Sequence, residues 1–231
     1  MSTLPGVVIL LNGYPGVGKS SVAKELLKIL PNSKLLEYHS LRAIIDPLID
    51  KEKEMDRWIE MKKSLLQTIL KNLSLNNKSN NHNHNHNHNQ QPLIYIFTSH
   101  LCATPNRLSI LHSHLFSKNL PLIHILLNCS TEINLRRLNS RSKKEEEGKK
   151  TLIDESLLYE LRMEEELGRF YDFNNSNSNS NSNLKENGLL GEFEIQTDNL
   201  MLNQTAFLIS EYIIESLREI GILIRLNPQT R

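Results

Sequence analysis

Short unbroken apolar runs alternate along this chain with longer stretches of helical spacing. Five runs are short enough for strands and apolar enough to be buried on both faces: 6–13 (GVVILLNG), 34–39 (KLLEYH), 92–99 (PLIYIFTS), 121–129 (PLIHILLNC) and 192–198 (EFEIQTD). Between them apolar residues recur every three or four positions. The segment 20–30 carries Val22, Leu26, Leu27 and Leu30 and stops at Pro31. A second helix is expected over about 54–73, with Met55, Trp58, Ile59 and a series of leucines as its core face. A third starts with Thr104 as N-cap and Pro105 as first residue. Further helices are expected over 131–138, about 153–170 and about 205–220. Strands alternating with helices predict parallel βαβ units, a doubly wound α/β sheet with helices on both faces.

Two stretches break the pattern. Residues 76–91 (NNKSNNHNHNHNHNQQ) and 174–183 (NNSNSNSNSN) carry no apolar side chains to offset the entropy of ordering. They read as solvated insertions in surface loops of a single domain spanning 1–231. A third polar stretch, SKKEEEGKK at 142–150, is charged rather than repetitive.

Composition narrows the function classes. With 27 Lys and Arg against 26 Asp and Glu, the net charge of +1 points to neither nucleic acid nor an anionic membrane as partner. Two cysteines make no disulfide framework, no apolar stretch approaches the length of a membrane span, and residues 1–11 lack a basic leader, so a cytoplasmic protein is expected. Oligomeric state leaves no signature.

The chemistry lies at the end of the first apolar run. Gly13-Tyr14-Pro15-Gly16-Val17-Gly18-Lys19-Ser20 fits G-x-x-x-x-G-K-[ST] at every fixed position, with a buried strand before it and a helix after it. Glycines let the loop curl so that successive N–H groups face phosphate oxygens. The following helix presents its positive end. Lys19 supplies a cation for the β- and γ-phosphates, Ser20 a hydroxyl for Mg²⁺, and Ser21 continues the loop into the helix. Residues 13–21 are the candidate nucleotide site.

No N-K-x-D motif follows a later strand, as a GTPase would carry, and IYIFTSHL (94–101) lacks the acidic pair of a motor ATPase. NGYPGVGKSSVAKEL (12–26), KLLEYHSL (34–41), NCSTEINLRRLNSR (128–141), LLYELRMEEELGRFYDF (157–173) and FEIQTDN (193–199) follow the order of motifs in small-molecule kinases. The chain resembles that branch of P-loop proteins, which includes gluconate, shikimate and adenylate kinases and chloramphenicol phosphotransferase. It is most similar to the zeta-toxin-like or "AAA domain" kinase group. The resemblance implies a three-layer P-loop NTPase fold with five parallel strands ordered 2-3-1-4-5. It also implies ATP with Mg²⁺ as cofactors and a small-molecule phosphate acceptor as partner.

Arg137 and Arg141, four apart, share a helix face, and Arg136 lacks such a companion. The resemblance makes Arg137 and Arg141 the arginines at the edge of a lid over the phosphates, and 142–150 the lid. It also implies an aspartate at the end of the second strand to orient the acceptor hydroxyl. Here Glu37-Tyr38-His39 stands instead, so Glu37 or His39 takes that role. Arg42 is placed to meet an anionic acceptor, and His100 to line the cleft. His124, mid-strand, reads as a core histidine, and the histidines of 82–88 as a loose tract rather than a metal site. The expected activity is transfer of the γ-phosphoryl of ATP to a metabolite hydroxyl. A slow regulatory NTPase and a polynucleotide 5′-hydroxyl kinase are the alternatives.

Overall fold

The computed structural model describes residues 6–75, 92–99, 103–142, 155–170 and 187–224. The two low-complexity stretches, 143–150, His100 and Cys102 lie outside the described residues. In chain order the elements are β1 (Val7–Asn12), α1 (Lys19–Ile29), β2 (Ser33–Glu37), α2 (Tyr38–Ile45), α3 (Met55–Leu75) and β3 (Ile94–Thr98). They continue with α4 (Pro105–Phe116), β4 (Leu122–Asn128), α5 (Thr131–Ser142), α6 (Glu155–Glu164), β5 (Leu189–Gln196) and α7 (Leu202–Arg218).

The five strands form one all-parallel sheet in the order β2-β3-β1-β4-β5, as the family resemblance implies. Alternation along β1 divides the core into two layers. Val7, Ile9 and Leu11 face α1 and α7, where Val22, Leu26, Ile209, Ile213 and Leu217 are buried. Val8 and Leu10 face the opposite way, toward Leu70 of α3 and Leu108 and Leu115 of α4. Because β1, β3 and β4 are covered on both faces, they read as continuous apolar runs.

Three boundaries differ from the sequence expectation. The second strand ends at Glu37, and Tyr38 and His39 open α2, whose Leu41 and Ile45 are buried one turn apart. The helix expected to reach 170 stops at Glu164. There the chain runs on outside any helix, held where Gly168 donates its backbone N–H to Ala103 and Tyr14 donates its hydroxyl to the Glu165 carbonyl. The fifth strand begins at Leu189, where a register shift between Leu122 and Ile123 leaves Leu190 as the extra residue and keeps Gly191 opposite Ile123. In α3 the core face is narrower than expected. Trp58 and Leu70 are buried, but Met55 and Ile59 are exposed.

His124 is fully buried, and its Nδ1 lies 2.7 Å from Glu192 Oε2, whose carboxylate also accepts the Phe170 N–H. It is a core histidine that pins β4 to β5.

Candidate functional site

The carboxyl end of β1 delivers the chain into the loop Gly13–Gly18, and α1 begins at Lys19. Two glycines show why the loop demands them. Gly13 has φ 146°, and a Cβ there would fall 2.3 Å from the Leu127 carbonyl oxygen. Gly18 has φ 106° and meets nothing within 4 Å, so its backbone borders open space. Gly18→Ala is therefore expected to cost only about 1 kcal/mol of stability, through backbone strain. Its methyl would occupy the space in front of the loop. Nucleotide affinity should fall by about tenfold or more, measurable by titration calorimetry beside a thermal melt.

The first turn of α1 carries no acidic residue, and its N-cap Gly18 supplies no side-chain cap. Its N–H groups and the positive end of the helix thus face the same region as the Gly18 backbone. Lys19 is buried and folds back across its own loop, with Nζ 2.5 Å from the Gly13 carbonyl and 3.0 Å from that of Tyr14. Ser20 and Ser21 are half-buried at the helix start.

Three side chains unremarked in the sequence hold this loop. Asn12, fully buried, accepts from the N–H groups of Gly13 (2.8 Å) and Ala103 (2.7 Å) and donates to the Ala103 carbonyl (3.1 Å). Asn134 of α5, also fully buried, donates to the Pro15 carbonyl at 2.6 Å. Arg162 of α6 donates to Asn134 Oδ1 and the Cys129 carbonyl, and its guanidinium lies 4.8 Å from the centre of the Tyr14 ring. Asn12 carried a signal, an amide closing an otherwise apolar strand. Asn134 and Arg162 sit in ordinary helical sequence and carried none.

The candidate arginines divide. Arg137 donates to the Val17 carbonyl, to Thr197 Oγ1 and to the Thr197 carbonyl, joining α5, the loop and the end of β5. Arg136 is exposed and paired with Glu132. The Arg141 side chain lies outside the described residues. Beside the loop, Gly16, Gly18, Arg136, Arg137, Thr197 and Leu200 border a cavity of about 420 Å³ on the β4–β5 side of the sheet. On the β2–β3 side, Glu37 lies opposite Thr98 in register, with its carboxylate 3.9 Å from Lys24. The His39 backbone stands in the first turn of α2, and its side chain lies outside the described residues. Cys129 is no nucleophile. Burial pushes its thiol up, against the nearby charges of Arg137 and Arg162.

The site would suit Mg²⁺ held mainly through phosphate and water. Among the described residues no group of three or more His, Cys, Asp or Glu side chains could hold a metal. Hydroxyls are present instead. Ser20 is half-buried at the start of α1, and the Ser99 Oγ, at the carboxyl end of β3, is buried without a hydrogen-bond partner among the described residues.

A parallel sheet in this order, with a glycine loop and a Lys-Ser pair opening the first helix, defines a P-loop NTPase fold of the kinase kind. The family model described as "AAA domain" matches residues 9–166, and the chain belongs to that family of P-loop kinases. No curated protein sequence matches it significantly. Among solved structures, a candidate kinase from Chloroflexus aurantiacus has a TM-score of 0.53 at 13% identity, covering 93% of this chain and 100% of that one. A shikimate kinase from Acinetobacter baumannii has a TM-score of 0.48 at 15% identity, covering 91% and 94%. A gluconokinase from Sinorhizobium meliloti has a TM-score of 0.47 at 14% identity, covering 95% of each chain. At these identities the likeness is one of fold. No described helix is long and apolar enough to cross a membrane.

Proposed function

We propose that the protein transfers the γ-phosphoryl of ATP to a hydroxyl of a small metabolite. The observation that carries this reading is the Gly13–Ser20 loop at the carboxyl edge of the sheet, with a cavity beside it on the β4–β5 side. The 420 Å³ cavity beside Gly18 and Thr197 falls in the size range of small-ligand sites and would take the nucleoside. The other side of the loop, at the carboxyl ends of β2 and β3, would take the acceptor.

In this reading the loop N–H groups and Lys19 hold the β- and γ-phosphates, and Ser20 holds Mg²⁺, which supplies charge neutralisation on the transferring group. Lys19 leaves the Gly13 and Tyr14 carbonyls for the phosphate oxygens, exchanging neutral acceptors for charged ones. Arg137 acts from its brace by fixing the Val17 and Thr197 backbones, and Arg141 reaches the γ-phosphoryl from the end of α5. Glu37 or His39 orients the acceptor hydroxyl and receives its proton. The work is positioning and electrostatics.

The test is transfer of label from γ-labelled ATP to a pooled extract of small metabolites. Labelled product made by the wild-type protein is the expected result. Slow release of labelled phosphate that no extract fraction stimulates would overturn it. That outcome favours a regulatory NTPase, a reading supported by the hydroxyls Thr98 and Ser99 at the end of β3, where a strong hydrolase carries a carboxylate.

A further inference from the structure

Four cations gather from four different parts of the chain, two of them on helices that follow β2 and β3. Three surround the indole of Trp58. Lys62 Nζ is 4.3 Å from the ring centre, Lys51 Nζ 5.4 Å and the Arg42 guanidinium carbon 6.0 Å. The fourth, Arg107, lies in the first turns of α4, where the chain has just left the carboxyl end of β3. Arg42 lies on α2, which leaves the carboxyl end of β2. The cluster thus draws on the segments that leave the two strand ends.

It is also tied to the phosphate loop. Arg107 lies 3.6 Å from the Glu165 carboxylate, and the Glu165 carbonyl accepts the hydroxyl of Tyr14 in the loop.

Gathering like charges is costly, and the protein shows the cost. Burial first, then the charges of Arg107, Lys51 and Arg42, push Lys62 down to about 8. Carboxylates offset part of it. Asp46 takes one hydrogen bond from Arg42 and another from the Trp58 indole, and Glu165 faces Arg107. One donor is left over. Arg42 Nε is buried and has no hydrogen-bond partner among the described residues. A buried guanidinium N–H without an acceptor is uncommon and is relieved by an acceptor supplied from outside.

We propose that this cluster is the docking subsite for an oxyanion group, a carboxylate or a phosphate, carried by the hydroxyl acceptor. The assignment rests on the kinase reading above. Arg42 and Lys62 hold the anion, Lys51 and Arg107 add field, and the acceptor hydroxyl is thereby turned toward the loop. The neutral overall charge of the chain conceals this local concentration.

Trp58 is the chain's one tryptophan and sits among three of the four cations, so its fluorescence reports on the subsite. The protein is first loaded with Mg²⁺ and a non-hydrolysable ATP analogue, which fills the phosphate loop. Sulfate is then titrated in. Saturable change in Trp58 emission is expected, weakened about tenfold by Lys62→Gln, less by the exposed Lys51→Gln, and restored by Lys62→Arg. Sulfate keeps its charge across the range, so a pH effect belongs to the protein. Lys62 is cationic below about 8, and sulfate affinity should fall as pH rises through that value, but stay level in Lys62→Gln.

Nucleotide loading without saturable, Lys62-dependent sulfate binding overturns the subsite. Lys62-dependent sulfate binding in a protein that takes up no nucleotide supports the anion site and overturns the kinase reading. Labelled transfer then separates the two sources of the oxyanion. Hydroxy acids and phosphomonoesters bearing a second hydroxyl are offered beside neutral polyols. Turnover with either anionic class, with KM raised about tenfold by Lys62→Gln, supports the subsite and names the source. Turnover with neutral polyols alone overturns it.

Discussion

Lys19→Ala is expected to remove phosphoryl transfer while leaving the fold and its melting point nearly intact. The loop's shape does not depend on the lysine. Asn12 holds Gly13, Asn134 holds Pro15, and Arg137 holds Val17. Lys19 is the first residue of α1, where alanine is at least as good a helix former. Its ammonium contacts the carbonyls of buried Gly13 and half-buried Tyr14. Water entering the space the side chain leaves would meet those acceptors, so stability should change by no more than about 1 kcal/mol. The catalytic loss is of another order. Removing one preorganised donor from a developing charge costs about 10²–10³ in rate, and Lys19 carries a full charge. Transfer should fall by at least that factor in single-turnover measurements with labelled ATP, with little change in the circular dichroism melt. Wild-type-like turnover would remove Lys19 from the site. A melt lowered by more than about 5 °C would show that the lysine holds the loop together.

The sheet's centre was legible because β1, β3 and β4 are buried on both faces and so read as nearly unbroken apolar runs. The phosphate loop was legible because its chemistry restricts residue type at fixed spacing. What escaped has identifiable causes. The helix Tyr38–Ile45 follows β2 with no turn residue, and its opening Tyr-His continues the apolar run, so periodicity placed the boundary two residues late. Gly191 hid the start of β5, because it interrupts the apolar pattern while staying in register with Ile123. The residues that clamp the loop, Asn134 and Arg162, come from α5 and α6 and act on backbone carbonyls, a relation that only the folded chain creates. Of the basic cluster around Trp58 only Arg42 was nominated. Its members are separated by up to 65 positions, from Arg42 to Arg107, and acids near Lys51 and Lys62 in sequence make the local charge there look balanced. Arg137, by contrast, was visible as one of a pair of arginines, but its contacts tie it to the Val17 and Thr197 backbones. Sequence spacing can nominate an arginine, and its partners decide whether it reaches a ligand or braces a loop.

Asn12→Ala is expected to be the most destabilising single truncation at the site, and to weaken nucleotide binding although Asn12 touches no space a nucleotide would fill. Its amide is fully buried and serves three backbone groups, the N–H of Gly13 and both the N–H and carbonyl of Ala103. It joins the exit of β1 to the segment that enters α4, 91 positions away. Alanine leaves the two N–H groups without this partner in a place closed to bulk water, while the Ala103 carbonyl keeps the Gly168 N–H. Each such group costs about 1–3 kcal/mol, so a total near 3–5 kcal/mol is expected. For a chain of this size that corresponds to a melting point lower by about 6–15 °C. The loop then loses the anchor that sets its first N–H, and nucleotide must order the loop as it binds. Affinity should drop in step with stability. The two effects are thermodynamically linked, so a saturating Mg²⁺–ATP analogue at about 100 times its dissociation constant should return close to 3 kcal/mol to the variant. Melts of wild type and variant, each with and without the analogue, read all of this in one experiment. A shift under about 2 °C in the unliganded variant would show that water replaces the amide and that Asn12 is not the anchor of the loop.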